Sequence, residues 1–155
     1  MRPVSSRLLG QKFTLPKRNS ENRNEELRPN PKWCQSRLSA GGYDPLASGA
    51  SALGPNSPEL IRTVREPRAT VAAFDGVRPS SVPVDAVTAS GSGLDPTISP
   101  AYAYEQVNRV ARARHLTPGR VERVVTDHLQ ACVLGFLGQE NVNVVALNHA
   151  LAELM

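Results

Sequence analysis

The apolar positions of this chain follow two regimes. Up to about residue 58 they are scattered among turn-forming residues, and beyond it they recur at helical spacing. Three stretches of the second half open with one device. Ser57-Pro58, Ser99-Pro100 and Thr117-Pro118 each put a hydroxyl at an N-cap and a proline at the first helical position, where its missing N–H costs nothing. The first predicts a helix over 58–74 with Leu60, Ile61, Val64, Val71 and Phe74 inward, kinked or interrupted at Pro67. The second predicts a helix over 100–114, with Tyr102, Ala103, Gln106, Val107, Val110 and Ala111 on its inner side and Arg109 and Arg112 on its outer side. The third covers 118–129, where Val121, Val124, Val125, His128 and Leu129 make the stripe. A fourth helix, 144–154, is capped by Asn143 and buries Val144, Leu147, Leu151 and Leu154.

Strand signals are weaker. Residues 6–13, 81–88 and 132–137 are the candidates, and with four helices they predict a single compact α+β domain with a small sheet. Residues 1–42 read as an N-terminal segment: a short apolar patch, "RLLGQKF", followed by a polar, Pro- and Asn-rich insertion over 16–32, expected as an extended or disordered surface loop. Residues 43–155 form the rest of the domain, entered through "YDPLASGASALGPNSP", which is turn chemistry throughout. No internal repeat is visible.

Composition narrows the class. At 155 residues, 40% apolar and 21% charged, the chain suits one soluble domain with a modest core. No window reaches the roughly 18 consecutive apolar residues of a membrane helix, so as written it is expected to be soluble, with no membrane anchor. Up to Ala40 there are nine Lys/Arg against three Glu; from Gly41 onward nine face eleven Asp/Glu. The basic stretch (Lys12, Lys17, Arg18, Arg23, Arg28, Lys32, Arg37) has no helical spacing and is interrupted by Glu21, Glu25 and Glu26, which favours solvated loop over nucleic-acid binding.

The chemistry-bearing motifs fall one by one. "SGSGLDP" lacks the Gly-Lys-Ser/Thr ending of a phosphate-binding P-loop, and no lysine follows Lys32. The third glycine of a dinucleotide fingerprint is also missing. What remains is a Gly-rich turn before the 100–114 helix, with Gly91 and Gly93 expected to adopt backbone angles a side chain opposes and Asp95-Pro96 turning the chain. Cys34 and Cys132 are far apart with no metal-ligand partners at suitable spacing; a disulfide between them is left open. His115, His128 and His149 form no site, and Asp85 and Asp95 pair only if folding brings them together. No catalytic constellation emerges.

The motifs gain force in combination. "RLLGQKF", "GGYDPLASGASALGPNSPEL", "VPVDAVTASGSGLDPTISPAYAYEQVNRVARAR" and "LGFLGQENVNVVALNHALAEL", in this order and spacing, resemble the C subunit of the bacterial Kdp potassium-transporting P-type ATPase, the KdpC family. The resemblance runs from about Ser6 to near the end. It implies an accessory, non-catalytic subunit of a high-affinity potassium uptake pump, whose partners are a potassium-binding subunit and an ATP-hydrolysing subunit. It places the soluble domain on the extracytoplasmic side of the cell membrane, behind an N-terminal membrane helix; Met1 falls where the soluble domain of such proteins begins. A "catalytic chaperone" role, raising the ATP affinity of the hydrolysing subunit, implies nucleotide contact at Ser90, Gly91, Ser92, Gly93 and Gln106. That conflicts with an extracytoplasmic position, so assembly support ranks above nucleotide contact and no cofactor is assigned firmly. Thr97, Asn108, Ala52 and Leu38 stand where the family pattern has His, Pro, Asn and Pro. The alternative is a truncated free-standing soluble protein, or a non-functional fragment, with no pump partner.

Overall fold

A computed structural model describes residues 6–22, 25–46, 48–49, 58–131 and 138–154, without the side chains of 58–63. Helices α1 (Pro58–Asp75) and α2 (Val84–Val87), the latter entered through a 3-10 turn at Pro79–Ser81, lead to strand β1 (Thr97–Ile98). Helices α3 (Pro100–Glu105), α4 (Val107–Arg114) and α5 (Pro118–Asp127) follow, then β2 (Leu129–Gln130), β3 (Asn141–Asn143) and α6 (Val144–Glu153). β3 is the central strand of an antiparallel sheet of order β1-β3-β2, with Ile98 and Leu129 both opposite Val142. The result is the α+β domain expected, and no helix among the described residues is long and apolar enough to cross a membrane.

The stripes form the core. Tyr102, Ala103, Gln106, Val107, Val110 and Ala111 are all buried, as are Val121 and Val125 of α5 and Val144, Leu147 and Leu151 of α6. Each Val or Leu so enclosed contributes about 1.5–3 kcal/mol relative to exposure. α4 packs against α5 and α1, and α5 against α6, so each stripe is covered by its neighbours'. β3 and α6 are joined without a loop: the side chain of Asn143 accepts from the Ala146 amide at 3.0 Å, the cap its position predicts.

Several expectations need correcting. Helix α1 is not interrupted at Pro67, because one forfeited backbone bond in an 18-residue helix is outweighed by the packing of its flanks on α2 and α4. The side chains of its predicted inward residues Leu60 and Ile61, and the Ser57 cap, lie outside what is described. The 100–114 helix is divided at Gln106 into α3 and α4. Ser99 caps α3, accepting from the Tyr102 amide at 3.1 Å, but the Thr117 side chain makes no cap bond to α5, whose start rests on Pro118 alone.

Two of the three strand candidates fail. Residues 6–13 form a turn and irregular chain, and 81–88 hold helical turns started by Pro79 and Pro83. Residues 132–137 lie outside the described residues. The real strands are two or three residues long, too short to carry a period.

The 16–32 insertion is solvent-facing only in part. Thr14 pairs with Pro29, closing a hairpin-like excursion, and the carbonyls of Pro31 and Lys32 accept from Arg109 and Arg114 at 2.7 Å. Arg114 also stacks on Trp33, and Cys34 is fully buried among α-helical residues. Backbone pinned by the buried Arg109 and the half-buried Arg114 overrides a composition that by itself favours a free loop.

Candidate functional site

The Gly-rich turn runs from the end of α2 to β1 and is held on both sides by the N-terminal segment. Leu38 bridges Ala89 in parallel, and its carbonyl accepts from the Ser90 amide at 3.1 Å. The Ser92 carbonyl takes the Gly49 amide at 3.1 Å and the Ser48 hydroxyl at 3.0 Å. The Gly93 carbonyl takes the Ser39 hydroxyl at 2.6 Å, and the Leu94 carbonyl takes the Gly10 amide at 2.7 Å. Within the turn, the amide of Gly93 donates to the Ser90 carbonyl and that of Leu94 to the Ser92 hydroxyl. An anion cradle needs several convergent free amides. Here, among the described residues, only those of Gly91 and Ser92 are unspent within 90–94.

The two glycines differ. Gly93 has φ +70°, and a Cβ there would lie 3.2 Å from the Gly49 carbonyl oxygen and 3.4 Å from the Ser39 hydroxyl. Gly91 does not have a positive φ, and a Cβ on it meets nothing within 4 Å, so the expected conformational demand holds at Gly93 only. Ser90 is buried, with a hydroxyl that has no partner.

Gln106 belongs to a different place. It is fully buried between α3 and α4; its carbonyl oxygen accepts from the Gln35 amide and from Arg109 Nη2, each at 2.6 Å, and its amide donates to the Gln35 carbonyl at 3.1 Å. No hydrogen bond joins it to Ser90, Gly91, Ser92 or Gly93. The five residues therefore fall into two places: a turn in which Gly91 and Ser92 are exposed and Ser90 and Gly93 buried, and a core junction.

Sequence reasoning missed that junction. Arg109, expected on the outer side of its helix, is only 5% exposed: Nε meets Asp75 at 2.6 Å, Nη1 donates to the Pro31 and Trp33 carbonyls at 2.7 and 2.9 Å, and the guanidinium lies 4.4 Å over the Phe74 ring. Burial pushes the Asp75 carboxyl up, and the Arg109 charge pulls it back. The only advance signal is that Arg109 sits three residues after Gln106, on the same helix face. A second buried amide, Asn148, brackets Cys34 through bonds of 2.8 and 2.9 Å to its backbone. Cys34 is a free thiol pushed up to about 12 by burial, which makes it unreactive; Cys132 lies outside the described residues.

The carboxylates do not form a catalytic pair. Asp85 and Asp95 border one cavity of about 320 Å³, but Asp85 accepts from the Ser99 amide and hydroxyl at 2.7 and 2.8 Å, and Asp95 from those of Thr97 at 2.9 and 2.7 Å. Both are spent on starting β1 and α3. Among the described residues no cluster of three or more His, Cys, Asp or Glu could hold a metal. His115 ends α4 in the left-handed conformation at φ 58°, His128 bonds the Val124 carbonyl, and His149 is exposed beside Glu153.

Residues 1–153 match the family described as "KdpC: K+-transporting ATPase, c chain". Among curated proteins, the "Potassium-transporting ATPase KdpC subunit" of Kineococcus radiotolerans is 51% identical, over 96% of this chain and 69% of its own length. Those of Beijerinckia indica and Streptomyces avermitilis are 46% and 41% identical, over 96% and 98% of this chain and 68% and 73% of theirs. With its apolar stripes, Gly-rich turn and family match extending over nearly every residue, this chain belongs to the KdpC family.

Proposed function

We propose that this chain is the accessory, non-catalytic subunit of an ATP-driven potassium uptake pump and acts by contact with its partner subunits, on the extracytoplasmic side of the cell membrane. Family membership supports the pump role. The observation that ranks subunit contact above nucleotide contact is the turn at 90–94, whose carbonyls at 92–94 are bonded to 10, 39, 48 and 49 and whose amides are mostly spent, while Gln106 is enclosed with Arg109. For a nucleotide this leaves two neighbouring amides, those of Gly91 and Ser92, and the buried Ser90 hydroxyl, fewer groups than a phosphate cradle gathers. Any gain in ATP affinity of the hydrolysing subunit is then passed on through protein contact, and the isolated chain hydrolyses no ATP.

Co-expression with the ATP-hydrolysing and potassium-binding subunits tests this reading. The expected outcome is co-purification after detergent extraction, with potassium-stimulated ATPase activity that depends on this chain. A chain recovered free of both subunits, with the pump fully active in its absence, would point to the free-standing alternative.

A further inference from the structure

A groove of about 370 Å³ opens between α1, α2, α3 and the irregular backbone runs 11–14 and 35–39. That volume lies in the lower part of the range of ligand-binding clefts and suits one small molecule better than a length of polypeptide. Its floor is apolar: the half-buried Val71 and Phe74, with Ala86 and Tyr102 only 2% and 3% exposed. The walls are fixed by side-chain bonds to backbone. The Gln35 amide donates to the Phe13 and Asn30 carbonyls at 3.1 and 3.0 Å, the Ser36 hydroxyl to the Gln11 carbonyl at 3.3 Å, and the Tyr43 hydroxyl to the Arg37 carbonyl. A cleft held in this way gives up little freedom when it is filled.

Two charged residues line the groove, both basic, and only one is available. Arg37 is committed to Asp95, the Thr88 hydroxyl and the Ala89 carbonyl. Lys12 has no ion pair or hydrogen bond among the described residues, and its Nζ lies beside Gly42, where an added Cβ would be 3.3 Å from it. The second available group is on the floor. The Tyr102 hydroxyl has no hydrogen-bond partner among the described residues, and burial raises its pKa, which keeps it a neutral donor. A buried donor without an acceptor is destabilising, so an occupant that brings an oxygen there removes a cost.

We propose that this groove binds a small acylated anion: the acyl chain lies on the apolar floor, its carbonyl oxygen accepts from the Tyr102 hydroxyl, and the anionic head meets Lys12. A plain hydrocarbon answers the floor alone, and a cationic amphiphile sets like charge against Lys12 with no acid in the lining to offset it. This goes beyond the subunit role and does not depend on it.

The probe is N-octanoylglycine, titrated into the full chain below its micelle-forming concentration and followed by calorimetry and amide chemical shifts. Saturable one-to-one binding is expected, with shifts gathered at Lys12, Leu38, Val71 and Tyr102. Lys12→Glu, at an exposed position without a partner, should weaken binding about tenfold through loss and reversal of one charge contact. Tyr102→Phe removes a hydroxyl that holds nothing in the free chain, so its melting temperature should equal or exceed the parent's. Its affinity for N-octanoylglycine should fall about fivefold, the loss of one hydrogen bond. Its affinity for undecanoate, a carboxylate of equal length without the inner carbonyl, should stay that of the parent. No saturable binding, equal affinity for octyltrimethylammonium, or unchanged N-octanoylglycine affinity in either variant would each overturn the proposal. An equal loss of undecanoate affinity in Tyr102→Phe would do so too, by tracing the effect to packing.

Discussion

The turn at 88–97 and the junction around Gln106 and Arg109 present opposite relations between appearance and role. The turn has the glycines, serines and acidic residue that suggest chemistry, yet its carbonyls at 92–94 are spent on holding residues 10, 39, 48 and 49 against the domain. The junction lies in an ordinary amphipathic helix, yet it gathers a buried ion pair, a buried amide and two loop carbonyls around one guanidinium. Polar density in sequence is thus a poor guide to polar density in space. What counts is whether a group is desolvated, because burial makes each unmade bond expensive.

The sharpest way to break this contrast is at Arg109. Arg109→Ala leaves Asp75 charged, buried and unpaired and frees Gln106 and two carbonyls, so a loss of about 3–5 kcal/mol is expected in chemical denaturation. Restoring part of that loss by pairing Arg109→Met with Asp75→Leu would show that the cost is the orphaned charge and not the missing volume. A loss below about 1 kcal/mol for Arg109→Ala would put the junction on a par with an ordinary surface pair.

In the turn the effect should be smaller and confined to one glycine. Gly93→Val forces a β-branched residue to φ +70° with its Cβ against the Gly49 carbonyl, at a cost of about 1–3 kcal/mol, whereas Gly91→Ala should change stability by no more than about 0.5 kcal/mol. Thermal melts of the parent and both variants, with and without ATP, read both quantities. An ATP-dependent rise in the parent that disappears in an otherwise stable Gly93→Val would turn the turn into a ligand site, since a ligand stabilises only the state it binds.

The smallest effect links the two regions. Glu105, on α3 just before Gln106, has a buried Oε1 without a partner, and burial, with Asp75 and Asp85 nearby, raises its carboxyl from 4.5 to about 7. The folded chain therefore holds a proton that the unfolded chain releases. Its contribution is complete below pH 4.5 and is lost as pH rises through about 7. Because the side chain is only half-buried, a shallow decline is expected, and Glu105→Gln should flatten it in urea midpoints measured across that interval.

Local chemistry was legible in the sequence. The inner faces of the 100–114, 118–129 and 144–154 helices and the Ser99 and Asn143 caps depend on periodicity and short spacings, which a linear reading contains. Family membership was legible for a related reason: the order and spacing of its motifs survive without coordinates. Periodicity put Gln106 inside, but tertiary structure alone decided its partners and drew Arg109 and Asp75 in with it. Arg109 and Asp75 are 34 positions apart, and Gln35 reaches Gln106 across 71, so nothing local marks them as partners. The same holds for the sheet, whose strands are too short to have a pattern and exist because Val142 is enclosed between Ile98 and Leu129. It holds again for Gly91 and Gly93, identical in sequence and separated only by a backbone angle and by what stands opposite: open space for one, the Gly49 carbonyl for the other.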